Sequence, residues 1–150
     1  MAKSITVARK FIELAKKENR GLTPMQLLKL VYIAHGWMLG LYSRPLIDDP
    51  IEAWRYGPVI PNLYQAIRSY RDQPVPAIPG SGSTTLELDE KNIIQQTYEK
   101  YGHFSAIKLS GITHMPNTPW KRAMNIGAVR ISNDLIYDYY SNLAASAPSN

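Results

Sequence analysis

The stretch Pro24-Met25-Gln26-Leu27-Leu28-Lys29-Leu30-Val31-Tyr32-Ile33-Ala34-His35-Gly36-Trp37-Met38-Leu39-Gly40-Leu41-Tyr42 is apolar nearly all round a helical wheel. A helix of that kind must be surrounded by protein, because no face of it suits water. Thr23-Pro24 supplies an N-cap followed by proline at the first helical position, so the start is marked. Lys29, Gly36 and Gly40 fall in one narrow arc. That side is almost free of side chains, and another backbone can approach it. Lys29 also interrupts the run as a membrane span. The remaining elements are therefore expected to wrap this central helix.

Outward on the N-terminal side, residues 4–19 alternate with helical period. Ile5, Val7, Ala8, Phe11, Ile12, Leu14 and Ala15 fill one half of the wheel, and Thr6, Arg9, Lys10, Glu13, Lys16 and Lys17 the other. Ser4 is expected to cap this helix and Gly21 to supply its left-handed stop. The first 22 residues carry six basic side chains against two acidic ones. Lys10, Lys16 and Lys17 are thus candidates for contact with nucleic acid or an acidic partner, although a solvated face is the commoner meaning of such a cluster.

On the C-terminal side a loop with two prolines, residues 43–51, leads to Trp54-Arg55-Tyr56-Gly57-Pro58-Val59-Ile60-Pro61. These residue types predict a short extended segment ending at Trp54–Tyr56, a sharp turn at Gly57, and a helix launched by Pro58 or Pro61. Ile60, Leu63, Tyr64, Ile67 and Tyr70 recur at helical spacing. Residues 73–85, rich in Pro, Gly and Ser, read as an exposed loop inserted into a single domain. Leu86-Glu87-Leu88 alternates and is expected to pair with Glu52–Trp54. Asp89 is expected to cap a helix that ends at Gly102, and Ser105 a short one carrying Ile107, Leu109 and Ile112. Thr118-Pro119 starts another turn, closed by Gly127. Ser132 caps the last helix, with Ile131 and Ile136 at the staple spacing. Residues 1–144 then form the domain and 145–150 a frayed tail. The fold class is mainly α, one compact domain with at most a two-stranded β ribbon.

Composition narrows function. The chain has 150 residues, a net charge of +5 and no cysteine, which excludes disulfides, thiol catalysis and thiolate metal sites. It shows no secretory h-region, no Gly-rich phosphate loop after a strand, no His-Glu-x-x-His and no Gly-x-Ser-x-Gly. The adjacent Asp48-Asp49 pair reads as solvated turn residues, since acid–base chemistry wants carboxylates placed across a cleft. His35 reads as a hydrogen-bonded core residue. His114, close to Trp120 at a loop-to-helix join, either belongs to a recognition pocket or caps a helix end. No catalytic residue, cofactor or metal site is expected. Three Trp and ten Tyr supply the residue types that concentrate binding energy at interfaces.

Three motifs in order carry a resemblance: Leu27 to Trp37, Trp54 to Tyr64, and Thr113-His114 with Pro119-Trp120-Lys121-Arg122-Ala123. Together they resemble the Panacea domain, the family of SocA-like antitoxins and phage-associated GepA-like proteins. The resemblance implies a bacterial or prophage cytoplasmic protein without catalytic activity that neutralises a toxin encoded nearby by direct binding. In the SocA branch it further implies handing the toxin to a ClpXP-type protease. The matching signature positions are Trp54, Tyr56, Gly57, Pro58, His114, Pro119 and Trp120. Two other roles stand beside direct neutralisation: a proteolytic adaptor, and a DNA-binding autoregulator using the basic first helix.

Overall fold

The computed structural model describes residues 1–80 and 85–146. The part of the 73–85 segment at 81–84, and 147–150 of the C-terminal tail, lie outside the described residues. Among the described residues the elements run α1 (Ser4–Lys17), α2 (Pro24–Tyr42), β1 (Glu52–Trp54), β2 (Gly57–Val59), α3 (Pro61–Ile67), α4 (Leu88–Tyr101), α5 (Ala106–His114), α6 (Pro119–Asn125) and α7 (Asn133–Ser146). A single 3₁₀ turn, Arg68–Tyr70, extends α3.

The central helix is where its apolar composition requires. α2 is buried from Leu27 through Gly36 and again at Met38 and Leu39, with α1, α4, α5 and α7 packed around it. Thr23 and Gln26 form a full capping box at its start. The side left bare by Gly36 and Gly40 receives α7. A Cβ at Gly36 would stand 2.3 Å from the Tyr140 ring, and one at Gly40 would stand 2.7 Å from the Tyr140 carbonyl carbon. His35 is buried and neutral by its bonding. Its Nδ1 accepts from the Leu46 and Ile47 amides at 3.2 Å, so Nε2 carries the proton and donates to Asn133 Oδ1 at 2.9 Å. Burial pushes its pKa down to about 4.

Several local expectations are corrected. Ser4 is the first helical residue rather than the cap. Its amide and hydroxyl both donate to the Asp49 carboxylate, at 2.8 and 2.7 Å, from 45 residues away. Asp49 is therefore a capping group and not merely a solvated turn residue, since a carboxylate at a helix N-terminus meets unpaired amides and the positive end of the dipole. The left-handed residue after α1 is Asn19, φ 56°; Gly21 instead admits Pro74, whose Cβ would lie 2.6 Å from a Cβ at that position. α4 is capped by Glu87 in a capping box with Glu90, two residues earlier than the expected Asp89 cap. Leu86–Leu88 pairs with nothing in the ribbon; β1 pairs antiparallel with β2, its nearest neighbour in sequence.

The segment at 73–85 is not wholly exposed. Val75 and Ile78 are buried, the Val75 amide donates to Leu22 O at 2.8 Å, and Arg9 Nε donates to Ile78 O at 3.0 Å. Apolar residues between prolines strap this segment onto α1, a pattern that its loop-like composition hides. Ile107 lies exposed on α5 while Leu109 of the same helix is buried. α7 continues through Ala145 and Ser146, so that part of the tail is helical. Ser105, Thr118 and Ser132 accept from the amides three residues on, as the sequence predicts.

Candidate functional site

Eight residues from β1 to α3 create the site's scaffold. Arg55 and Tyr56 make the hairpin turn, and Gly57 is the first residue of β2, in register with Trp54. The expected turn at Gly57 thus falls one residue earlier, and Pro58 lies inside β2 opposite Ala53; Pro61 alone launches a helix. Gly57 nevertheless has φ +131°, a conformation that L side chains rarely adopt. The reason is what packs against it. A Cβ there would meet Lys29 Nζ at 2.8 Å and His114 Nε2 at 3.0 Å.

Lys29 is the functional-site residue that the sequence reading missed, although its position as a lone cation in an apolar helix was visible. It is fully buried, and its ammonium donates to the Pro58 carbonyl at 3.0 Å. Burial pushes its pKa down to about 8. The head group ties α2 to β2 at the point where the glycine opens space.

From the other side, α5 and α6 close on the same hairpin. Thr118 caps α6, Pro119 occupies its first turn, and Trp120 follows. The Trp120 indole donates to the Trp54 carbonyl at 2.6 Å. His114, the last residue of α5, stands edge-on to Trp120, with centroids 4.6 Å apart and planes at 81°. The Trp54 indole donates to Glu52 Oε1 at 2.8 Å, and its ring meets Tyr64 edge-on at 5.1 Å. Of the seven signature positions, Trp54, Gly57, Pro58, His114, Pro119 and Trp120 therefore gather around one short ribbon, half-buried or buried. Tyr56 alone projects from it, 71% exposed, more than any other aromatic described. His114 belongs to this aromatic cluster.

The ribbon has a third member. Ala53 N donates to Val129 O at 2.8 Å, Ile131 N donates to Ile51 O at 2.9 Å, and Glu52 bridges Arg130 in antiparallel fashion. Both edges of β1 are thus occupied.

The basic candidates lie elsewhere, on α1. Lys10 and Lys17 both reach the Glu13 carboxylate, at 3.2 and 3.7 Å. Lys16 and Lys17, though not Lys10, border an open groove of about 490 Å³ between α1 and residues 76–78. Among the described residues no group of three or more His, Asp or Glu is placed to hold a metal ion, and no helix is long and apolar enough to cross a membrane.

Most of the aromatic supply belongs to the core. Trp37 donates to Tyr101 Oη at 3.1 Å and stands edge-on to Tyr140 at 5.2 Å, while Tyr32, Tyr98, Tyr101 and Tyr140 are buried.

Comparison with known proteins follows the same geometry. The family model described as antitoxin SocA-like, Panacea domain, matches residues 27–121, a span that begins in α2 and ends just beyond Trp120. Antitoxin SocA of Caulobacter vibrioides (strain NA1000 / CB15N) is 26% identical over 150 residues, covering 89% of this chain and 80% of that protein. No solved structure matches.

Proposed function

Because the chain belongs to the SocA-like antitoxin family with its Panacea domain, we propose that it neutralises a cognate toxin by direct protein–protein binding and carries out no covalent chemistry itself. One observation carries this reading. The signature residues are spent on holding a short β-hairpin rigidly between α2, α5 and α6, and the hairpin presents the most exposed aromatic side chain, Tyr56, to its surroundings. A tyrosine side chain has few rotatable bonds to immobilise on binding and offers both apolar area and a hydroxyl, the properties that suit it to an interface anchor. The autoregulator alternative asks α1 for free positive charge, and Lys10 and Lys17 share the single Glu13 carboxylate, which offsets one of the three candidate lysine charges. The adaptor alternative adds a second face to the same binding event.

The test is co-expression with the neighbouring gene product. Growth rescued together with a stable co-purified complex is the expected result. Undiminished toxicity with no complex refutes the proposal. Rescue that depends on a ClpXP-type protease, with shortened toxin half-life, selects the adaptor mechanism instead.

A further inference from the structure

Charge is segregated along this chain. Residues 53–71 and 100–133 contain no Asp or Glu, and together they carry Arg55, Arg68, Arg71, Lys100, Lys108, Lys121, Arg122 and Arg130. The ribbon is where these two stretches meet. Ala53 lies opposite Val129 and Glu52 opposite Arg130, and the chain reaches Val129 through the turn at Ile126–Gly127 that closes α6. Within four residues of this pairing Tyr56, Ile126 and Val129 are 71%, 74% and 68% exposed. Flanking them are Arg55 and Arg130, both exposed and neither paired with a carboxylate among the described residues. The nearest acid, Glu52, accepts from the Trp54 indole. By contrast Lys3, Lys10, Lys17, Arg20, Arg44 and Arg122 all have acidic partners.

We propose that the hairpin tip and the 126–130 segment form one docking face whose partner is an acidic, apolar-bearing segment of the toxin. Exposed apolar side chains want desolvation, and unpaired arginines beside them want carboxylates; a segment offering both meets both demands. Nucleic acid would satisfy the arginines but leave Ile126 and Val129 in water. A second copy of this chain would bring like charge against like. The inference rests on the neutralisation reading above and adds to it the face and the chemistry of the partner.

The experiment uses the purified neighbouring gene product and the full chain, with affinity measured calorimetrically at about 0.1 and about 0.5 M salt, roughly a twofold range of screening length. Arg55→Glu with Arg130→Glu should weaken binding at least tenfold at low salt and less at high salt. Tyr56→Ala with Val129→Ser should weaken it at least tenfold at both. Lys16→Glu and Ile107→Ser, exposed on α1 and α5, should leave it within twofold. A photo-crosslinking residue at position 129 should capture the toxin and one at position 107 should not, which locates the face without altering its charge. A complex indifferent to the ribbon variants, or equally sensitive to the controls, overturns this inference and leaves the neutralisation reading intact. Absence of any complex overturns both. Duplex DNA shifting with the wild type but not with the arginine variants, or self-association lost with the apolar ones, overturns it in favour of that occupant.

Discussion

Replacing Gly57 by alanine tests the central geometry most directly. Two costs follow from the structure. An L residue at φ +131° is strained whatever the space around it, at about 1–3 kcal/mol. The new methyl also stands 2.8 Å from Lys29 Nζ and 3.0 Å from His114 Nε2. Lys29 ends a flexible chain and can withdraw, but doing so breaks its bond to the Pro58 carbonyl and leaves a buried ammonium unsatisfied, at about 1–3 kcal/mol. The sum is about 2–6 kcal/mol. For a chain of this size each kcal/mol moves the melting midpoint by about 2–4 °C, so a fall of at least about 4 °C is expected. Circular dichroism at 222 nm during thermal unfolding reads it. A double-mutant cycle with Lys29→Met then isolates the shared contact, and a coupling of about 0.5–3 kcal/mol is expected because the two side chains would compete for one space. A midpoint unchanged within about 2 °C, or strictly additive effects, would refute the claim that Gly57 exists to admit the lysine head.

Three further outcomes are expected. Lys29→Met removes a cation whose pKa is pushed from 10.5 to about 8, a cost of about 3 kcal/mol at neutral pH, while orphaning the Pro58 carbonyl at about 1–3 kcal/mol; stability in urea should therefore hold or rise, and a loss above about 2 kcal/mol would contradict the account. Gly40→Ala forces a methyl to within 2.7 Å of the Tyr140 backbone, which cannot step aside as a side chain can, so α7 should be displaced at a cost of about 1–3 kcal/mol or more by denaturant titration. His35 is pushed from 6.5 to about 4, so between those values the unfolded chain binds a proton that the folded chain refuses. Stability contributed by neutral His35 is therefore complete above about pH 6.5 and lost as pH falls toward 4. About 2 kcal/mol should disappear between pH 7 and pH 5, and a flat urea midpoint over that interval would show that the ring is not neutral in the fold.

How much of this could be read from the sequence depends on the range over which each signal acts. Periodicity is local, so α1, α2, the stretch beginning at Pro61 and the caps at Thr23, Ser105, Thr118 and Ser132 were all legible. The bare arc at Gly36 and Gly40 announced a close neighbour without saying that the neighbour was Tyr140. The misreadings are instances of distant groups doing work that a nearby residue type was positioned to do. Ser4 has the chemistry of a cap, yet Asp49 does the capping because the 43–51 loop returns to the start of α1. Leu86–Leu88 has the alternation of a strand, yet Gly57–Val59 wins the pairing because a two-residue turn closes at far smaller entropic cost than a loop of thirty-odd residues.

The signature residues show the same division. Gly57, Pro58, His114 and Trp120 could be named from sequence, but the ammonium that explains the glycine comes from a helix that reads, residue by residue, as plain core. A lysine inside an apolar run is costly to bury, so it persists only where its head reaches something specific. Here it reaches the carbonyl of the proline beside the glycine. The ribbon is thus held from beneath by a charge and from the side by an indole, and both bonds end on hairpin carbonyls, Pro58 and Trp54. Bonds to backbone oxygen fix the hairpin's position while making no demand on its side chains. Arg55 and Tyr56 at the tip can therefore be exchanged without loosening the clamp beneath them, as the proposed docking role requires.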